Sequence, residues 1–189
     1  MKDKKASPPK TGAATALLVI DIQQGLFEKS TPIYHKEAFL AAVSGLIGRA
    51  RQAEVPVVFI QHSNDTFLIK GSPGWQLHPQ IQPLPGEAIV HKRHASAFEG
   101  TTLEAVLESS QVGALVICGL VTHGCVKATC QDALQRGYRV TLAQDGHSSF
   151  SKDAPKLIDE WNSRLHSAGA QLCPAEQIDY AQPEAAHPV

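Results

Sequence analysis

Short apolar runs alternate along this chain with segments of helical period, and that alternation restricts the fold more than any other feature. The runs are Ala16-Leu-Leu-Val-Ile20, Val57-Val-Phe-Ile60, Ala88-Ile-Val90, Ala114-Leu-Val-Ile-Cys118, Tyr138 to Ala143 and Ala170 to Cys173. Unbroken apolar runs of this length suit strands covered on both faces. Between them Phe39, Ala42, Val43, Leu46, Ile47 and Ala50 recur at i, i+3 and i+4, as in an amphipathic helix. Thr101-x-x-Glu104 predicts a capping box ahead of Leu103, Val106 and Leu107. A helix from Gly124 to Arg136 is closed by Gly137, and Leu157, Ile158, Trp161 and Leu165 stripe the last one. Strand and helix in alternation imply a parallel α/β sheet with right-handed crossovers and helices on both faces. Ligands of such sheets bind at the carboxyl ends of the strands, where strand order reverses.

No second core and no internal repeat appear, and 189 residues suit one domain. The reading is a flexible arm over residues 1–12, a single domain over 13–180 and a loose tail over 181–189. Lys plus Arg (17) nearly cancels Asp plus Glu (18), so no basic field exists to attract nucleic acid or an anionic membrane. The start lacks the apolar core of a secretory signal, and no run approaches a membrane span. Cys118, Cys125, Cys130 and Cys173 form no CxxC pair, which suits reduced thiols and a cytoplasmic setting. Residues 63–88 hold four prolines and three glycines and show no period; long loops of this kind often carry function.

Asp21 follows the first strand and Lys92 ends the third. Taken singly, each reads first as an ordinary strand-end residue, Asp21 as a turn starter and Lys92 as a snorkelling lysine. Cys125 lies in Gly119-Leu-Val-Thr-His-Gly-Cys125-Val126, between a strand and a helix start. A thiol there faces free backbone N–H groups and the positive helix end, which favour a thiolate and can hold an oxyanion. Lys92 would add to that effect and Asp21 would oppose it, with the helix amides and the ammonium expected to prevail. Together the three form a plausible nucleophile, base and charge-steadying cation. Among nine histidines, His91, His94 and His123 read as pocket-lining or surface residues. His62, Asp65 and His78 could be gathered by the long loop, but no HxH or HExxH spacing marks a metal site, and none is expected. Trp75 and Phe27 could wall an apolar pocket or simply anchor the loop. No Gly-rich phosphate loop is present, so no nucleotide and no cofactor is expected.

Four blocks in order now matter together: Leu18-Val-Ile-Asp21-Ile-Gln23 with Phe27; Lys92 with Ser96, Phe98 and Thr101-x-Leu103; Gly119-x-x-Thr122-x-x-Cys125-Val126; and Thr129, Asp132-Ala133 and Asp145. With these the chain resembles the isochorismatase-like cysteine hydrolase family from about Thr15 to Asp179. The resemblance implies a three-layer α/β/α sandwich around a six-stranded parallel, Rossmann-like sheet. It implies catalytic Asp21, Lys92 and Cys125, a cis Leu120–Val121 peptide and an oxyanion hole of the Val121 and Cys125 N–H groups. It also suggests Gln23, Phe27, Trp75, Thr122 and His123 as substrate-binding residues, and a homodimer or larger homo-oligomer. The zinc-binding members carry an Asp and His ligands after strand two, and Gln61-His-Ser-Asn-Asp65 lacks that order. The expectation is thus a metal-independent hydrolase of a small-molecule amide, acting through a thioester. Two rivals stand beside it: ether or ester cleavage with Cys125 a bystander, and a non-enzymatic thiol sensor or small-molecule binding protein.

Overall fold

The computed structural model describes residues 7–180, so the expectations for residues 1–6 and for the tail lie outside the described residues. Six parallel strands form one sheet in the order β3-β2-β1-β4-β5-β6: β1 (Ala14–Ile20), β2 (Val57–His62), β3 (Ala88–Lys92), β4 (Val112–Leu120), β5 (Arg139–Ser148) and β6 (Gln171–Cys173). The first three strands step one way from β1 and the last three step the other way. The reversal therefore falls between β1 and β4, and it opens a crevice at their carboxyl ends.

Period-two alternation within β1 builds both faces. Leu17 and Val19 pack beneath α2 (Lys36–Gln52) with Phe39, Val43 and Leu46. Ala16, Leu18 and Ile20 face the other way, in one cluster with Leu103 and Leu107 of α3 (Leu103–Ser109), Cys130 and Ala133 of α4 (Lys127–Gln135) and Leu165 of α5 (Ala154–Ser167). A short α1 (Gln24–Phe27) follows β1 at the rim. Burial of each such Leu or Val contributes roughly 1.5–3 kcal/mol, so the covered sheet is the main store of stability. The long loop is anchored too: Leu68, Leu77 and Ile81 are buried, and the Asn64 side chain accepts from the N–H groups of Thr66, Phe67 and Leu68. Among the described residues, no helix is long and apolar enough to cross a membrane.

Gly119 is where β4 must be glycine. Its φ is +127°, and a Cβ there would stand 2.1 Å from the Ile20 carbonyl oxygen. That close approach lets β4 bend beside β1, with a register shift against β5, before the chain enters the cis Leu120–Val121 peptide.

Two local expectations are corrected. The Thr101–Glu104 capping box does not close: Thr101 Oγ1 accepts from Leu103 N at 3.2 Å, but Glu104 turns away to Lys10 (2.6 Å), Arg136 (2.7 Å) and Tyr138 (3.1 Å). Two cations outcompete one backbone amide for that carboxylate. The same contacts dock residues 7–12, read above as part of a flexible arm; Ser7 N donates to Gln135 O and Lys10 N to Gly137 O.

Candidate active site

Each of the three candidate catalytic residues leaves a different strand at the same rim. Asp21 directly follows β1 in the left-handed region (φ 50°), which Asp tolerates better than most residues and which turns its carboxylate into the crevice. Lys92 is the last residue of β3, paired in register with His62 of β2. Cys125 comes after β4, within a five-residue π-type turn, Thr122–Val126. The expected helix from Gly124 is corrected here. Gly124 is non-helical (φ −115°, ψ −111°), so the regular helix α4 starts only at Lys127.

The three side chains converge. Lys92 Nζ lies 2.8 Å from Asp21 Oδ2 and 3.1 Å from Cys125 Sγ. It also approaches His62 Nδ1 and the His94 carbonyl oxygen, each at 3.2 Å. The Lys92 side chain is wholly enclosed and that of Asp21 is 3% exposed. Burial would lower the Lys92 pKa, but the Asp21 carboxylate and the Cys125 thiol more than offset it and hold the ammonium above its ordinary value. The other carboxylate oxygen, Asp21 Oδ1, is buried with no hydrogen-bond partner, while the Cys125 thiol lies beside the carboxylate.

The expected thiolate is corrected in sign. Burial first, then the Asp21 carboxylate, push the Cys125 thiol up to about 12, against the opposing pull of Lys92. The resting sulfur therefore keeps its proton, and what would activate it is the adjacent carboxylate. Cys118 and Cys130 are buried in the two cores and are raised by burial alone. Cys173 is half-buried beside Asp145.

The proposed substrate-binding residues divide. Gln23 is fully buried and committed to the protein. Its Nε2 donates to the carbonyls of His62 (2.9 Å) and Trp75 (2.7 Å), and its Oε1 accepts from His62 N (2.9 Å). Those bonds tie Gln23 to the end of β2 and to the loop. Thr122 is likewise buried, and Oγ1 lies 2.9 Å from His147 Nδ1 and 3.1 Å from the Ser148 carbonyl oxygen. His147 in turn reaches Asn162 Oδ1 at 2.9 Å, so these bonds tie the turn that carries Cys125 to α5. Phe27 lies against His78, with ring centroids 4.6 Å apart, and Trp75 against His91 at 5.4 Å. His123 is half-buried, its Nδ1 3.4 Å from Ser149 Oγ. Phe27, Trp75, Val121 and His123 are all partly exposed.

Other residues of the four blocks brace the site. Ser96 Oγ donates to Asp132 Oδ2 at 2.7 Å, and Thr129 Oγ1 accepts from Ala97 N at 3.0 Å, tying the segment after Lys92 to α4. Asp145 Oδ1 accepts from Ala175 N at 2.6 Å. Nothing in the local sequence separates His62 from an ordinary strand-end histidine; its signal is the β2–β3 register that sets it beside Lys92.

Metal-ligand geometry is confined to one group among the described residues: one donor atom each from Asp21, His62 and Cys125, all within 4.8 Å of one another. The Lys92 ammonium touches all three and takes the place a metal cation would need. The loop trio of His62, Asp65 and His78 is not gathered, since Asp65 pairs with Arg93 at 2.8 Å and His78 packs at a tilt against Phe27.

The doubly flanked parallel sheet is an α/β/α sandwich, with carboxylate, ammonium and thiol meeting at its switch point. Residues 15–172 match the isochorismatase domain model. The chain is 31% identical over 176 residues to two streptothricin hydrolases of Streptomyces noursei, covering 92% of itself and 64% and 70% of them. It thus spans about two thirds of their length. To the maleamate amidohydrolase of Pseudomonas putida it is 29% identical, over 71% of this chain and 72% of that one. The crystal structure of an isochorismatase family protein superposes with a TM-score of 0.80 at 30% identity, covering 84% of this chain and 97% of the other. The protein belongs to the isochorismatase family and is a hydrolase of that family.

Proposed function

We propose that this protein hydrolyses a C–N bond of a small amide, with Cys125 as nucleophile, Asp21 as general base and acid, and Lys92 holding the charge between them. The observation that carries the reading is the free, buried Asp21 Oδ1 beside a thiol that retains its proton. As Sγ attacks the carbonyl carbon, its proton passes to Asp21, and the carbonyl oxygen gains charge that the Val121 and Cys125 N–H groups would meet. Collapse breaks the C–N bond, the amine leaves with the proton from Asp21, and a thioester remains on Cys125. Water then gives a proton to Asp21 and attacks the thioester. The acid departs, and the proton returns to sulfur. Lys92 is paired with Asp21 while that carboxylate is ionised, and while Asp21 holds the proton the charge on the tetrahedral oxygen balances the ammonium. The amidohydrolase among the relatives supports the choice of an amide.

The test is a panel of small amides, ureido compounds and lactams scored for release of ammonia or amine, with each reaction repeated after thiol alkylation. Turnover of at least one compound, lost in proportion to alkyl groups mapped to Cys125, is the expected outcome. Absence of turnover across the panel, or turnover untouched by full alkylation of Cys125, would defeat the reading.

A further inference from the structure

We infer that His147 is a positioning residue for the reaction: through Thr122 it holds the turn that carries Cys125 in its working place against Asp21 and Lys92. The kinetic part of the inference rests on the amide-hydrolase reading above, and the structural part does not.

The sheet brings these residues together. β4 and β5 pair with Gly119 opposite His147 and Leu120 opposite Ser148, so the end of β5 runs beside the last residues before the turn. His147 is 2% exposed and Thr122, the first residue of the turn, 1%. Each nitrogen of the His147 ring has a protein oxygen at 2.9 Å, Thr122 Oγ1 at Nδ1 and Asn162 Oδ1 at Nε2. Asn162 is itself fixed, since its Nδ2 donates to the Gln144 carbonyl oxygen at 3.3 Å. A hydroxyl gives one hydrogen and can also accept, so the Thr122–His147 contact is a hydrogen bond in either tautomer of the ring. Burial disfavours the imidazolium, against the pull of Asn162 and of the Asp145 carboxylate. What the ring supplies is therefore a bond and not a charge.

The turn needs such a tie. Cys125 comes three residues after Thr122, and the non-helical Gly124 between them interrupts regular helical geometry. Inside the turn the backbone closes on one carbonyl: Val121 O accepts from Gly124 N at 2.9 Å and from Val126 N at 3.4 Å. Those bonds shape the turn but do not set where it lies on the rim. Thr122 does, bonded to His147 and lying 3.1 Å from the Ser148 carbonyl oxygen, and His123 adds a longer contact, 3.4 Å from Ser149 Oγ. Without the ring, Thr122 would lose its tie to α5, and the turn could shift against Asp21 and Lys92. A misplacement of about 1 Å costs on the order of a hundredfold in rate. The loss should fall on kcat, because the groups that meet a substrate elsewhere in the crevice stay where they are.

The experiment compares His147→Leu, Thr122→Val and the double variant on the amide of the panel that the parent turns over fastest. Each single variant should lower kcat roughly tenfold to a hundredfold with KM within about threefold of the parent. The double variant should fall no more than about twofold below the weaker single, because both changes cut the same link. Thr122→Ser keeps the hydroxyl, and the amide of His147→Asn can give or take a bond near the place of Nδ1; both should recover most of kcat. Deuterium uptake, read by mass spectrometry, should rise severalfold over residues 121–126 in the two single variants and stay at the parent level over β1 and β2. Thr122→Val makes this test without removing the ring. Uptake over the turn that matches the parent, losses that add in full in the double variant, or Thr122→Ser as slow as Thr122→Val would overturn the inference and leave the amide reading standing. If the parent turns over no amide of the panel, that reading falls, and the uptake over residues 121–126 decides the positioning role by itself.

Discussion

Cys125→Ala is expected to lower kcat/KM for any amide substrate by at least roughly a thousandfold while leaving the thermal midpoint within a few degrees of the parent. The asymmetry has a structural basis. The thiol is only partly buried and packs at the margin of one core, whereas Cys118 and Cys130 lie within the cores. Asp21, Lys92 and the backbone donors would survive the change, so binding and oxyanion stabilisation persist and set the residual rate. Paired measurements of ammonia release and thermal unfolding decide the matter. Retained turnover in Cys125→Ala would instead favour ether or ester cleavage, in which sulfur is a bystander.

Lys92→Met should act on stability and activity together. The variant keeps the volume of the side chain but leaves the Asp21 carboxylate buried with no counter-charge, where the pair stands at 2.8 Å almost wholly enclosed. Breaking a buried pair from one side costs about 3–5 kcal/mol. Without the ammonium, no cation remains beside Cys125 and Asp21 to steady the charge that proton transfer moves between them. Turnover should fall at least roughly a hundredfold. Adding Asp21→Asn to Lys92→Met should recover most of the lost stability and none of the activity, because the isolated charge is gone and so is the base. Urea titrations of the two single variants and the double variant provide the cycle. A Lys92→Met protein within about 0.5 kcal/mol of the parent, the spread of ordinary surface substitutions, would show that the ion pair is not buried as described.

The strands were legible because both their faces are covered, so that Ala16–Ile20 and Ala114–Cys118 carry no polar alternation. Where strands run on in mixed sequence, as β5 does through Gln144–Ser148, the apolar run stops short of the element. Asp21 was legible as a candidate because it directly follows a strand, Lys92 because it ends one, and Cys125 because it lies in the turn out of one. Gln23 and Thr122 were not, because their partners are carbonyls far along the chain, at His62, Trp75 and Ser148, and nothing local indicates them. The docking of Lys10 on Glu104 spans 94 positions and is equally silent in sequence. The sign of the Cys125 shift depends on burial depth and on which oxygen of Asp21 is spent on Lys92, and both are properties of the assembled rim.

The central claim is a covalent one, that the acyl group rests on Cys125 between amine release and hydrolysis. Rapid acid quench of the protein with a turned-over amide, followed by intact-mass and peptide mapping, observes it directly. The account predicts an adduct of the acyl mass on the peptide bearing Cys125, removable by hydroxylamine and absent from Cys118, Cys130 and Cys173. Ammonia release at the full rate with Cys125 unmodified at every quench time would contradict it.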